Sequence, residues 1–444
     1  MHKRALGAAA VTGVAALALS ACGGSSPTTP SNTAAGTGAG TSKAAATTTG
    51  TPETPSGTAA PVRDANVDLV IWTDADRSKA VQKYADQFAQ ENGVTVKVQI
   101  STDVRAQFKD ATKVGKGPDV IVGAHDWLGE LVQNSTVAPV SLSSDVAAKF
   151  LPSAIAATKF NGQSYGVPYA VENIGLMYNK DLVPNPPKTM DELVATGQKL
   201  VKEGKAKQVL SQFVSKVGNA YFAYPYLSAF PDGGIFGTKG NGDYDPGKLI
   251  VNSAGSVKGG DVLAKLGQEK VLSTNVDDTN QDALFDTKAA PFMISGPWSV
   301  AKAKEAGINY GIAPLPSIAG GGQMKPFLGV QMFYVSSKAK NATLAQEFVT
   351  NYIPRKDVQL ALFQVGQRPP ALKEAYDQVA ATDPDVKAWY EAGVDGKPMP
   401  NIPAMNSVWG PFGQATADII AGKTGAKERL DAAAKEIAAN IAKG

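Results

Sequence analysis

The chain has 444 residues, 43 of them basic and 40 acidic, for a formal net charge of +3. That length accommodates two domains of ordinary size, and the near balance, with no clustered basic stretch, argues against a nucleic-acid partner. One cysteine and two histidines rule out an intrachain disulfide, a Cys2His2-type zinc site and multi-histidine chemistry, so neither metal nor cofactor is expected.

His2, Lys3 and Arg4 form a basic start, followed over residues 5–19 by an apolar, alanine-rich run that is short for a membrane span. Leu19-Ser20-Ala21-Cys22 comes next and resembles the bacterial lipobox, with the chain's single cysteine at the position that pattern requires. The resemblance implies a signal peptide over residues 1–21 and diacylglycerol on the Cys22 thiol. The lipid would anchor the mature chain to the outer face of the cell membrane, since two or more acyl chains hold stably. Residues 22–66 are dominated by Gly, Ser, Thr, Ala and Pro. A stretch with so little to bury reads as a disordered tether, with a reach on the order of 35 Å.

Order begins at the strand-like Val67-Asp68-Leu69-Val70-Ile71-Trp72. Residues 78–93 read as an amphipathic helix with Val81, Tyr84, Ala85 and Phe88 on one face and Gly93 as its stop. Val94-Thr95-Val96-Lys97-Val98-Gln99-Ile100 alternates as a second strand, and Asp119-Val120-Ile121-Val122 is a third, buried one. This order predicts an α/β fold with a mainly parallel sheet covered on both faces.

Ligands of such sheets sit beyond the carboxyl ends of the strands. Two such ends carry polar clusters, Thr73-Asp74-Ala75-Asp76-Arg77 and Ala124-His125-Asp126-Trp127. On their own, the aspartates after the first strand read first as helix N-caps. His125 reads as a packed or hydrogen-bonded structural residue.

The stretch over residues 165–189 organises the rest. Two apolar, β-rich runs flank one carboxylate, Glu172, which must be isolated, paired or ligand-facing if the strands are buried. Pro168-Tyr169-Ala170-Val171-Glu172, followed by Tyr178-Asn179-Lys180-Asp181-Leu182-Val183-Pro184-Asn185-Pro186-Pro187-Lys188-Thr189, resembles the first lobe-to-lobe crossover of the maltose-binding protein family. These are the extracellular sugar-binding subunits of ABC importers. The resemblance extends over residues 67–444 and implies a two-lobed, type II periplasmic-binding-protein-like fold with discontinuous lobes joined by three crossovers. Residues 67–171 and 332–380 would form lobe 1, and 172–331 and 381–444 lobe 2. The second crossover would be Gly329-Val330-Gln331-Met332-Phe333-Tyr334-Val335, the third would lie near Ala381, and a terminal helix over about 427–442 would pack on lobe 2.

The same resemblance implies that Asp74, Asp76, Arg77, Asp126, Trp127 and Glu172 contact a sugar from lobe 1. Carboxylates and an arginine fork suit adjacent hydroxyls, which both donate and accept. Asn219, Tyr221, Phe222 and Tyr224 would supply a platform from lobe 2, with Trp298 from Ser295-Gly296-Pro297-Trp298 and Trp409 after Met399-Pro400-Asn401-Ile402-Pro403. Aromatic faces pack on the C–H faces of sugar rings. The chain departs from the reference maltose binders at Gly123 (tryptophan there), Trp127 (arginine), Asn219 (glutamate), Gly410 (tyrosine) and Gly413 (arginine), so its preference among maltose, maltodextrins, cyclodextrins and trehalose-like sugars is open.

The expected function is capture of a maltodextrin-type oligosaccharide by a monomeric, lipid-anchored, extracytoplasmic protein that delivers it to an ABC permease. No catalysis is expected, since nothing marks the raised-pKa acid a glycoside hydrolase needs. The rival reading is a binding lipoprotein for a polyamine or peptide on the same fold. Asp277-Asp278-Thr279-Asn280-Gln281-Asp282 lacks the glycine and terminal glutamate of a calcium loop and reads as Asp or Thr capping the helix before Phe285.

Overall fold

The computed structural model describes residues 60–240 and 243–443, so Cys22 and most of the expected tether lie outside the described residues. The first strand, β1 (Leu69–Thr73), lies between β2 (Val96–Ile100) and β3 (Val120–Ala124) and is parallel to both. Alternate residues of β1 bury on opposite faces. Leu69 and Ile71 enter one apolar cluster with Phe88 and Val98, while Val70 and Trp72 enter another with Phe108 and Leu131. That is the doubly covered sheet the sequence predicts.

The helix after β1, α1 (Ala75–Asn92), starts three residues earlier than the apolar periodicity suggests. The cause is Asp74, whose carboxylate accepts from the Arg77 backbone N–H at 3.0 Å and so caps the first turn. Gly93, at φ 63°, closes the helix in the left-handed conformation that glycine adopts without steric cost.

A ten-residue strand, Phe327–Ser336, runs antiparallel to β3 and to Gly166–Glu172, and Val137–Ala138 and Lys397–Pro398 also join it, so the sheet is mixed rather than mainly parallel. A second sheet is built from Tyr310–Ala313, Gly175–Asn179, Phe292–Ser295 and Leu210–Gln212. It too is buried on both faces, Leu176 and Ile294 on one and Met177 and Met293 on the other.

Only Asn173 and Ile174 separate strand Gly166–Glu172 of the first sheet from strand Gly175–Asn179 of the second. The long strand makes the return passage. Its first residue, Phe327, is in the core of the second sheet, whereas Val330, Phe333 and Val335 are in the core of the first. These two passages pair side by side, with Gly329 opposite Glu172. The chain passes again at Asp383, which ends helix Lys373–Thr382 and caps helix Pro384–Gly393 by accepting from the Asp385 N–H at 2.9 Å. The second of these helices puts Trp389 and Ala392 into the core beside Met177 and Met293. The terminal helix Ala426–Lys443 buries Leu430, Ala433 and Ile437 in the larger cluster of the second sheet.

One local expectation is corrected. Helix Gln281–Asp286 carries Phe285, but its N-cap position is Asn280, which makes no side-chain cap bond, so neither an aspartate nor Thr279 caps it. The polar run instead folds on itself. Asp277 accepts from the Thr279 N–H and hydroxyl, and Asn280 Oδ1 accepts from the Asp277 N–H.

Candidate functional site

Glu172 stands where the two crossover strands pair. It is 9% exposed, and both its oxygens are engaged. Gln331 Nε2 donates to Oε1 at 2.7 Å and Arg368 Nε donates to Oε2 at 2.5 Å. A carboxylate taken out of water needs such partners. Of the three alternatives left open for it, Glu172 is paired, and it also borders a cleft of about 320 Å³.

Asp76, Asp126, Glu172 and Arg368 line the cleft from the side of the first sheet. Asp126 is 4% exposed, and burial pushes its carboxyl above the ordinary value against the pull of Arg105 and His125. The guanidinium of Arg105 lies 3.8 Å from Asp126 and donates through Nε to Glu130, whose other oxygen accepts from Lys109. Asp74 and Arg77 do not line the cleft. They are bound to each other at the helix start, 3.0 Å apart, so the capping role prevails for Asp74. Asp76, on the exposed side of that first turn, is the residue of the cluster that reaches the cleft.

Trp127 does not line the cleft. Its six-membered ring folds back over Gly123, where a Cβ would meet Cζ3 at 1.9 Å, and it packs on the first lobe's core. Two of the departures from the reference pattern are therefore one adjustment, since an indole at 127 requires glycine at 123.

Tyr221, Trp298 and Trp409, with Met399, face the cleft from the second lobe. Asn219 sets the start of helix Ala220–Ser228 by accepting from the N–H groups of Tyr221 and Phe222, and so serves as a helix cap. Phe222 and Tyr224 are core residues, 5% and 4% exposed. Tyr224 stacks on Phe327 with ring centres 3.6 Å apart and planes 8° from parallel. Tyr221 stacks on the same Phe327 at 6.3 Å, and Trp409 meets it edge-on at 6.4 Å. One phenylalanine at the start of the long strand thus holds two rings that line the cleft.

His125 ties the halves together. Its Nδ1 accepts from the Val330 N–H at 3.1 Å, which leaves Nε2 to donate to the Met399 carbonyl at 3.0 Å. Both contacts suit the neutral ring, and burial lowers its pKa.

Sequence reasoning missed Arg368, Met399, Gln331 and Phe327. Arg368 carried one signal, a charged residue between a helix end and Pro369-Pro370. Glu172 also borders a second cavity of about 300 Å³, walled mainly by apolar groups such as Leu328, Val330 and Trp389. The cleft differs from it in gathering Asp76, Asp126 and Arg368 around the shared Glu172. Among the described residues no cluster of His, Cys, Asp or Glu is placed to hold a metal ion, and no helix is long and apolar enough to cross a membrane.

Residues 83–392 match the family described as bacterial extracellular solute-binding protein. A galactooligosaccharide-binding protein of Bacillus subtilis (strain 168) is 30% identical over 83% of this chain and 88% of its own length. A maltotriose-binding protein of Pyrococcus abyssi (strain GE5 / Orsay) is 29% identical over 79% and 77%. A maltooligosaccharide ABC transporter solute-binding lipoprotein of Streptococcus pneumoniae (strain ATCC BAA-255 / R6) is 26% identical over 81% and 85%.

Proposed function

The chain belongs to the bacterial extracellular solute-binding proteins, and from that premise we propose that it captures an oligosaccharide of the maltodextrin or galacto-oligosaccharide class and presents it to an ABC permease. The observation that carries this reading is the make-up of the cleft. An acidic wall and a wall of rings meet at Glu172, and the Tyr221 hydroxyl and the Trp409 indole N–H of that lining are buried without a partner in the protein. A sugar ring supplies both what a donor and what an acceptor lack, and its C–H faces suit aromatic rings. Leaving such groups unmatched costs about 1–3 kcal/mol each, so the cleft is poised for a polyhydroxylated guest.

A polyamine fits less well. It would need several unpaired carboxylates, whereas Glu172 is matched by Arg368 and Asp126 faces Arg105 while burial opposes its ionisation, which leaves only Asp76 of the cleft's three to meet an amine. Bound sugar would hold the two halves together by a hinge motion about the paired crossovers. Lobes over 67–171 with 332–380 and over 172–331 with 381–444, a lipid anchor on Cys22 and a monomeric state complete the proposal.

Thermal-shift and calorimetric titration with maltose, maltotriose, galacto-oligosaccharides, spermidine and a mixed oligopeptide tests the reading. A ligand that binds only the folded form raises its melting temperature. Heat from a saccharide alone supports the proposal, and heat from spermidine or peptide alone overturns it.

A further inference from the structure

We propose that Arg368 is a specificity-determining residue that limits how many sugar rings the closed cleft encloses, by covering the face of Trp298. The inference rests on the oligosaccharide reading above and concerns chain length within it.

The local chain holds Arg368 rigidly. Helix Lys356–Gly366 stops at Gln367, which sits at φ 52° and donates its N–H to the Phe363 carbonyl at 2.7 Å. Pro369 and Pro370 then restrict the next residues to extended backbone, fastened to the crossover strand by bonds from Val171 N–H to the Pro369 carbonyl and from Ala371 N–H to the Tyr169 carbonyl. Between these two anchors Arg368 has an 11% exposed side chain, bonded to Glu172. Its guanidinium carbon lies 5.2 Å from the ring centre of Trp298, in the other lobe. The neighbouring Gln367 also reaches across, accepting from Lys304 Nζ at 3.2 Å.

One face of the Trp298 ring is thereby covered. Its six-membered part lies against Gly296, where a Cβ would meet Cζ3 at 2.2 Å. The guanidinium, a planar cation suited to an indole face, covers it from the cleft. Stacking is left to Tyr221 and Trp409, in a space of about 320 Å³, near the lower end of the ~300–1,000 Å³ spanned by small-molecule pockets. A longer saccharide that sought the Trp298 face would have to lift a guanidinium held by a buried carboxylate. Discrimination against longer chains would follow from that obstruction, a repulsive element beside the attractive ones.

The test titrates the full-length chain, R368K and R368A by calorimetry with maltose, maltotriose, maltotetraose and the matching galacto-oligosaccharides. Lysine keeps a charge beside Glu172 but cannot lie flat on the indole, so R368K decides the question even if R368A, which strands a buried carboxylate, fails to fold. The expected result is a parent that favours two-ring ligands and variants whose preference shifts toward four rings by about tenfold. An unchanged length profile in R368K, a uniform loss of affinity at every length, or a parent that already favours four rings overturns the proposal while leaving saccharide binding intact. A parent that binds no saccharide overturns this inference and the functional reading together.

Discussion

Gly329 faces Glu172 across the ladder of the two crossover strands, and a Cβ at 329 would stand 2.8 Å from Glu172 Cγ and 3.1 Å from its Oε1. The carboxylate occupies space that only a missing side chain leaves. Gly329→Ala should therefore displace Glu172 from Gln331 and Arg368. Overpacking of this kind costs about 1–3 kcal/mol, and saccharide affinity should fall at least tenfold. Calorimetry alongside far-ultraviolet circular dichroism checks this, and parental affinity in a folded variant would show that Glu172 does not need its present position.

Tyr221 offers a test with opposite signs. Its hydroxyl is buried without a partner, and burial raises its pKa well above the ordinary value. Tyr221→Phe removes an unmatched polar atom and so leaves the ligand-free melting temperature equal or slightly higher. The same change removes a bond to bound sugar, lowering affinity fivefold to tenfold, or by about 1 kcal/mol. Equal affinities in variant and parent would exclude the hydroxyl from ligand contact.

His125 makes the joint between the halves sensitive to acid. Burial lowers its folded pKa below the ordinary histidine value of 6.5, so as pH falls through 6.5 the unfolded chain takes up a proton that the folded chain resists. Stability from the neutral ring is complete above that value and declines below it. Comparing melting temperatures of the parent and His125→Gln from pH 7.5 to 5 isolates this contribution. The parent's advantage should shrink as pH falls; an advantage independent of pH would contradict the assignment.

Asp286 has the reverse linkage. Burial, with Asp282 nearby, pushes its carboxyl up to about 6 from the ordinary aspartate value of 3.8, and its Oδ1 is buried without a partner. The ionised form is thus a liability above pH 6 that is relieved as pH falls through 6 towards 3.8. Asp286→Asn should melt a few degrees higher than the parent at pH 7.5, with the difference fading by about pH 4. A variant no more stable than the parent at pH 7.5 would refute this.

Much of the frame is written locally. The unbroken apolar run of β1 predicts a strand buried on both faces, because successive side chains point to opposite sides. Asp74 and Gly93 mark the ends of α1 through bonds and backbone freedom within a few residues. Even there periodicity places the helix start three residues late, because a cap acts ahead of the first apolar position. The acidic and aromatic loops were legible by their resemblance to a long motif, and Asp76, Asp126, Glu172, Tyr221, Trp298 and Trp409 converge on one cleft. Asp74, Arg77, Trp127, Asn219, Phe222 and Tyr224 resembled the same motif, yet they serve as caps, as an ion-pair partner and as core.

Which segments become strands and helices, and which carry polar or ring-bearing ends, depends on neighbours a few residues away and is legible in the chain order. That Arg368 reaches Glu172 across 196 positions, or that Phe327 backs Tyr221 and Trp409, is visible only in the folded chain. Such meetings depend on strand register, where a slip of one residue turns every side chain to the other face, and register is set by how two distant segments pair.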